Sequence, residues 1–217
     1  MANDWQDAAR DEMFEQISRE LYPEHKQQAI EEFAAERLRS FYLAHPTVML
    51  PAMGMLKEGR ELLELRRFTA SVVFSAGSYE LMLKATLLRP VVHGLVHNEG
   101  LAQVLVDHML GTQTAIGRYK ELLSKLFLSI AGVQLATVSR AGVKANILAE
   151  VIANQTLRNR ILHGGGTCTR PHAEEAREVG LAVFQLILSP VLVGLGLGLD
   201  PTGRIVLATA GIADLQI

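Results

Sequence analysis

The sequence predicts an all-α protein: an antiparallel helical bundle over residues 68–199, preceded by a charged helical arm over 1–67 and followed by a short strand-like tail over 200–217. Three observations predict it. Apolar residues recur at helical spacing through long segments after Phe68. Short connections marked by Gly or Pro separate those segments, as antiparallel neighbours require. Only one run, RIVLATA after the turn sequence DPTG, reads as a strand, and one strand makes no sheet. With 217 residues, 49% hydrophobic and 20% charged, the chain can bury one sizeable core.

Taken in order, Ile17, Leu21, Ile30, Phe33, Leu38 and Phe41 recur at near-helical spacing and are interrupted at Pro23, which predicts two amphipathic helices. AHPTVMLPAMG, with Pro46 and Pro51, reads as a connection, and a short charged helix follows from about Leu56 to Arg67. No Gly/Ser-rich linker sets this arm apart as an independent domain. FTASVVFSAGSYELMLKATLLR predicts a long buried helix that Pro90 ends. A second helix covers VVHGLVHNEGLAQVLVDHML, with Gly111 as its stop, and a third runs through IGRYKELLSKLFLSIAGVQL. The fourth spans about Ser139 to His163, with a serine cap and a Gly164-Gly165-Gly166 end. The fifth begins at Pro171.

Leu181 to Leu199 carries no charge and has about the length of a membrane span. Pro190 interrupts it, Gly194, Gly196 and Gly198 weaken its far end, and the acidic flank before it reads as the start of a soluble helix. Buried core is the expectation.

Charge and cysteine content exclude several function classes. A formal net charge of -2 does not suit a non-specific binder of duplex DNA. Residues 1–67 hold 13 acids and 9 bases, so the negative charge is concentrated there. The single cysteine, Cys168, allows neither an internal disulfide nor a cysteine-built metal cage. The first residues are acidic and lack an apolar h-region, so the expectation is a cytoplasmic protein without a signal peptide.

The most informative run is Arg158-Asn159-Arg160-Ile161-Leu162-His163, at a helix end before three glycines. Asn159 and His163 are four apart and share a helix face, where an amide can orient an imidazole. Arg158 can reach a phosphate held near that histidine, and the glycines leave the ring accessible. Arginine for phosphate charge and histidine for proton transfer form a minimal set for cleaving RNA without metal, since RNA supplies its own 2′-hydroxyl nucleophile.

This segment resembles the signature of the HEPN superfamily (higher eukaryotes and prokaryotes nucleotide-binding): Arg, a polar residue often Asn, a short spacer, then His, near the end of a late helix. Arg158, Asn159 and His163 match it, and Ser78-Tyr79-Glu80-Leu81-Met82-Leu83-Lys84-Ala85 looks like the earlier core helix of such proteins. The resemblance covers roughly Phe68 to Leu199 as helix order, with only the short motif specific. It implies a HEPN-type bundle, a homodimer whose motifs face each other, and either an RNA-cleaving toxin or defence protein or a non-catalytic binding module. Some toxin members carry a Tyr two residues past the motif His as a target for a partner nucleotidyltransferase; here that position is Gly165.

The expected roles are His163 as general acid/base, Arg158 as the stabiliser of phosphorane charge, and Asn159 as the residue orienting His163. Arg160 and Arg170 are candidates for flanking phosphates, and Glu80 and Lys84 for lining the cleft, although at four apart they also suit a simple ion pair. No cofactor is expected. RNA is the expected substrate, a second copy and an antitoxin protein the expected partners, and a membrane none. Arg39 to His45 fits the loose motif too, but Ser40 follows the Arg and Pro46 the His, so His45 reads as a connecting residue. The competing constellation is His93, His97 and His108 on one helical stripe, which could hold zinc. It lacks a Glu after the first His, and Gly100 falls between the ligands. Ser75, Gly77 and Ser78 read as residues that let helices approach closely.

Overall fold

The computed structural model describes residues 35–95, 100–101, 104, 120–132 and 134–208. Of the two amphipathic helices expected from Ile17 to Phe41, the part up to residue 34 lies outside the described residues, as do most of the second bundle helix, including His97 and His108, and the tail beyond residue 208. What is described is mostly helical, with one small hairpin.

Helix α1 covers 35–44 and α2 covers Leu50–Glu64. Helix α2 starts earlier than the sequence predicts, because Pro51 opens the helix where its missing N–H is not needed. Leu38, Tyr42, Met49, Leu56 and Leu62 are buried. All but Leu62 belong to the cluster that holds Tyr79, Phe127, Val151 and Ile187. Residues 35–64 are thus a wall of the same core as residues 68–199. The reversal after α2 places Arg66 at φ 59, a left-handed position usually given to glycine, with the Arg67 N–H returning to the Leu62 carbonyl at 2.8 Å.

Helix α3, Phe68–Leu81, packs antiparallel on α2 through small residues. A Cβ on Gly59 would stand 2.7 Å from Ser75 Oγ, and Ser71 Oγ donates to the Gly59 carbonyl at 2.7 Å. A Cβ on Gly77 would collide with Met55, and one on Gly180 with Leu56. Ser75, Gly77 and Ser78 therefore serve close packing.

The helix does not end at Pro90. It passes through a π-helical segment, Met82–Leu88, into α4, Arg89–Leu95, with the Arg89 N–H donating to the Lys84 carbonyl five residues back. Proline removes the N–H that would serve the carbonyl four residues earlier, here Thr86. That carbonyl instead accepts the Tyr42 hydroxyl of α1 at 2.6 Å, which lets the helix continue.

Helix α5, Lys120–Ala131, contributes Leu123 and Phe127 to the core. A single 3-10 turn, Leu135–Thr137, follows. Helix α6, Ile147–Gly164, starts later than the expected serine cap at Ser139, because Gly142 at φ 76 sits in a turn and Asn146 makes the cap, accepting from the Ala149 N–H at 2.9 Å. It stops at Gly165, left-handed at φ 65. Helix α7, Arg170–Val183, repeats the device of the α3 rod: a π segment at Phe184–Leu188, then α8, Ser189–Gly194, with Pro190 as its second residue. The two π segments touch.

The apolar stretch beginning at Leu181 is thus split between helix and strand. Arg170–Gly194 has the length and composition of a membrane-crossing helix, yet Val179, Val183, Ile187, Leu188, Val191 and Leu192 lie in the core. Leu197–Leu199 forms β1, antiparallel to β2, Ile205–Leu207, so the predicted strand has a partner that the Gly/Leu alternation concealed. Asp200 closes their turn, accepting from the Thr202 and Arg204 N–H groups at 2.8 and 3.0 Å. The Thr202 hydroxyl, donating to the same carboxylate at 2.7 Å, and then these backbone bonds hold its carboxyl below the ordinary value.

Candidate functional site

Helix α6 meets α3 near its C-terminal third. Leu157 and Ile161 face a small apolar cluster around Val72, Ala173 and Ala176, which sets the rotation of the helix. Arg158, the next residue, then points at α3. Its Nη2 donates to Glu80 Oε2 at 2.7 Å, and Lys84 Nζ donates to Glu80 Oε1 at 2.7 Å. Glu80 and Lys84 have side chains only 14% and 9% exposed, and that of Arg158 is 25% exposed. Two cations share the Glu80 carboxylate, and a second carboxylate, Glu175, acts on the neighbouring Tyr79. The structure thus brings Arg158, Glu80 and Lys84 together.

Asn159 takes another part than the sequence predicts. Its Oδ1 accepts from Arg158 Nη1 at 2.9 Å, so its amide orients the arginine. The stronger cationic donor beside it wins the carbonyl oxygen from a histidine one turn away. His163 is exposed and makes no hydrogen bond or ion pair among the described residues. It stands five residues beyond Arg158, about 7.5 Å along the axis. The chain then folds back: a Cβ on Gly166 would lie 3.6 Å from the Arg160 carbonyl, and the Cys168 N–H donates to Thr69 Oγ1 at 3.0 Å. His163 therefore sits at an open rim, above a loop tied to the start of α3.

The flanking cations are placed at the periphery. Arg160 is exposed, and its charge partly offsets the burial that raises the Cys168 thiol. Arg170 is occupied by Glu174 at 2.7 Å. His45 packs its ring on Phe41, centroids 4.5 Å apart, and His93 stacks on the same Phe41 at 5.4 Å. Of the proposed zinc stripe, only His93 lies within the described residues.

Two features escaped sequence reasoning. The Tyr79 hydroxyl, next to Glu80, is fully buried without a hydrogen-bond partner among the described residues. Burial pushes it up from the ordinary phenol value, while Arg158 pulls the other way. Nothing in the run SYELMLK marks that tyrosine as unsatisfied. Arg140 Nε donates to both Glu150 oxygens at 3.1 Å and Nη1 to Glu178 at 2.6 Å, raising the arginine's pKa chiefly through the Glu150 bonds. This network pins the turn before α6 to α6 and α7. Glu150 is buried, so the bonds are structural.

Comparison with protein-family models, curated proteins and solved structures finds no match to any of them. Residue chemistry is therefore the ground for a functional reading.

Proposed function

We propose that the chain is a metal-independent endoribonuclease of HEPN type, acting in the cytoplasm as a toxin or phage-defence component. The observation that carries this reading is the join of Arg158 to Glu80 and Lys84 across two helices, with His163 open to solvent one and a half turns further on. In this reading the RNA 2′-hydroxyl attacks phosphorus, the bond to the 5′-oxygen breaks, and a 2′,3′-cyclic phosphate and a 5′-hydroxyl form. One His163 takes the proton of the 2′-hydroxyl. The leaving oxygen needs a proton as well, and His163 of a second copy supplies it across a two-fold axis. Arg158 meets charge on the phosphorane.

The test is cleavage of single-stranded RNA by the full chain in EDTA. Retained cleavage, cyclic-phosphate ends, and a loss on the order of 10²–10⁴-fold in His163→Ala are expected. Arg158→Ala is expected to weaken both binding and turnover. His45→Ala serves as control, because its ring packs on Phe41. Activity that vanishes with chelator, or that survives His163→Ala, refutes the reading. A strict monomer in sedimentation at micromolar concentration refutes the paired-histidine form.

A second reading is favoured by one observation: Asn159 is committed to Arg158, which leaves His163 without an orienting partner. On that reading the chain is a catalytically silent module that binds nucleotide or a protein partner. RNA binding without cleavage in wild type and variants alike would select it.

A further inference from the structure

A groove of about 420 Å³ opens between α2, α7 and the Asp200–Gly203 turn. That is within the ordinary range for a small-molecule site. Its floor is aliphatic: Leu50, Met53, Leu56, Leu181 and Leu199. Among the described residues three cations line it, Lys57, Arg60 and Arg177, and no acidic or aromatic side chain does. Those cations are poorly used. Arg177 is half-buried and makes no hydrogen bond or ion pair among the described residues. Arg60, with 43% of its side chain exposed, pairs loosely with Glu64 at 3.8 Å, and its Nε alone is shielded from solvent without a hydrogen bond among the described residues. Lys57, itself exposed, reaches an exposed Glu61 at 3.9 Å. A buried guanidinium N–H without an acceptor costs free energy unless an anion supplies one.

We propose that this groove binds an amphiphilic anion: a carboxylate or phosphate headgroup held by Arg60 and Arg177, with an unbranched aliphatic tail on the leucine floor. The absence of aromatic lining disfavours a nucleotide, whose base would have nothing to stack on. Arg158, Asn159, His163, Glu80 and Lys84 take no part in lining it, so the inference stands apart from the ribonuclease reading.

Calorimetric titration of the full chain tests it, with each ligand kept below its micelle-forming concentration. The probes are decanoate and decyl phosphate, with 1-decanol, decyltrimethylammonium and inorganic phosphate as controls. Saturable binding of at least one of the two anionic probes is expected, and the tighter one identifies the headgroup. Each control should bind at least ten-fold more weakly, because a head or a tail contact is missing. Arg177→Ala should weaken the bound anion by about ten-fold or more. Gly54→Leu should abolish binding without unfolding the chain. Gly54 lines the groove, and a Cβ placed there meets nothing within 4 Å, so a leucine fills the groove from a helix that accepts it. Equal affinity for decanol and the anions, or an unchanged affinity in Arg177→Ala or Gly54→Leu, overturns the proposal. So does failure of both anions to bind.

Discussion

Tyr42 and Tyr79 are both fully buried in one core, and their hydroxyls have opposite fates. Tyr42 Oη donates at 2.6 Å to the Thr86 carbonyl, the acceptor that Pro90 cannot serve. Tyr79 Oη finds no acceptor among the described residues. Replacing each by phenylalanine removes the same atom. In Tyr42→Phe a buried carbonyl loses its donor, which costs about 1–3 kcal/mol. A chain of this length loses about 2–4 °C of Tm per kcal/mol, so a fall of roughly 2–12 °C is expected. In Tyr79→Phe a hydroxyl that cost about 1–3 kcal/mol to bury unpaired is gone, so stability should hold or rise by up to about 1 kcal/mol. Urea titrations of both variants, with unchanged slopes, give the difference directly. Equal destabilisation of the two, or a neutral Tyr42→Phe, would refute the account of how the α3 rod passes Pro90.

Arg140→Ala strands the buried Glu150 carboxylate and should cost about 3–5 kcal/mol by denaturant titration, whereas Glu178→Ala removes a partner 59% exposed and should cost under about 1 kcal/mol. Gly59→Ala forces a Cβ to within 2.7 Å of Ser75 Oγ and 3.2 Å of the Ser75 backbone nitrogen, so a loss of about 1–3 kcal/mol is expected; Gly54→Ala, facing open space in the same helix, should gain about 0.5–1 kcal/mol in the same measurement. Burial raises both phenols above the ordinary value of 10.0, so the native state holds their protons more tightly than the unfolded chain does. Their contribution is complete below about pH 10 and declines as pH rises further, and Tyr42→Phe should shift the alkaline unfolding midpoint upward relative to its own neutral-pH stability.

The helical class was legible because apolar spacing survives without knowledge of contacts: Leu123 and Phe127, or Val179 and Val183, read as one face on paper and lie in the core. Element ends were less legible. Pro51 and Pro90 look alike as letters, yet one opens α2 and the other lies inside a rod, because a tyrosine 44 residues from Thr86 serves the orphaned carbonyl. No local pattern holds that information. The strand Leu197–Leu199 was hidden for a similar reason: its partner lies beyond a turn, and alternation with glycine carries little pairing signal. At the candidate site, Glu80 and Lys84 form the ion pair that their four-residue spacing suits, and Arg158 joins it from α6, which spacing could not show. The partner of Asn159 could not be chosen by spacing either. Helical spacing offers both Arg158 and His163, and only side-chain geometry decides between them. Lys57, Arg60 and Arg177 come from two helices 120 residues apart at the extremes, so no motif joins them.

The paired π segments have a consequence for how this chain tolerates insertion and deletion. A π turn closes its hydrogen bonds one residue later than an α turn, so it behaves as one residue spliced into a regular helix. Downstream side chains are therefore out of phase with upstream ones by about 100°. Excising a residue from Met82–Leu88 or from Phe184–Leu188 would restore α-type hydrogen bonding within that segment. The same excision would swing Pro90, or Val191 and Leu192, about a quarter turn away from the neighbours they now meet. Backbone regularity and core packing are thus set against each other at the point where the two rods touch. A shorter chain would there have better helices and a worse protein.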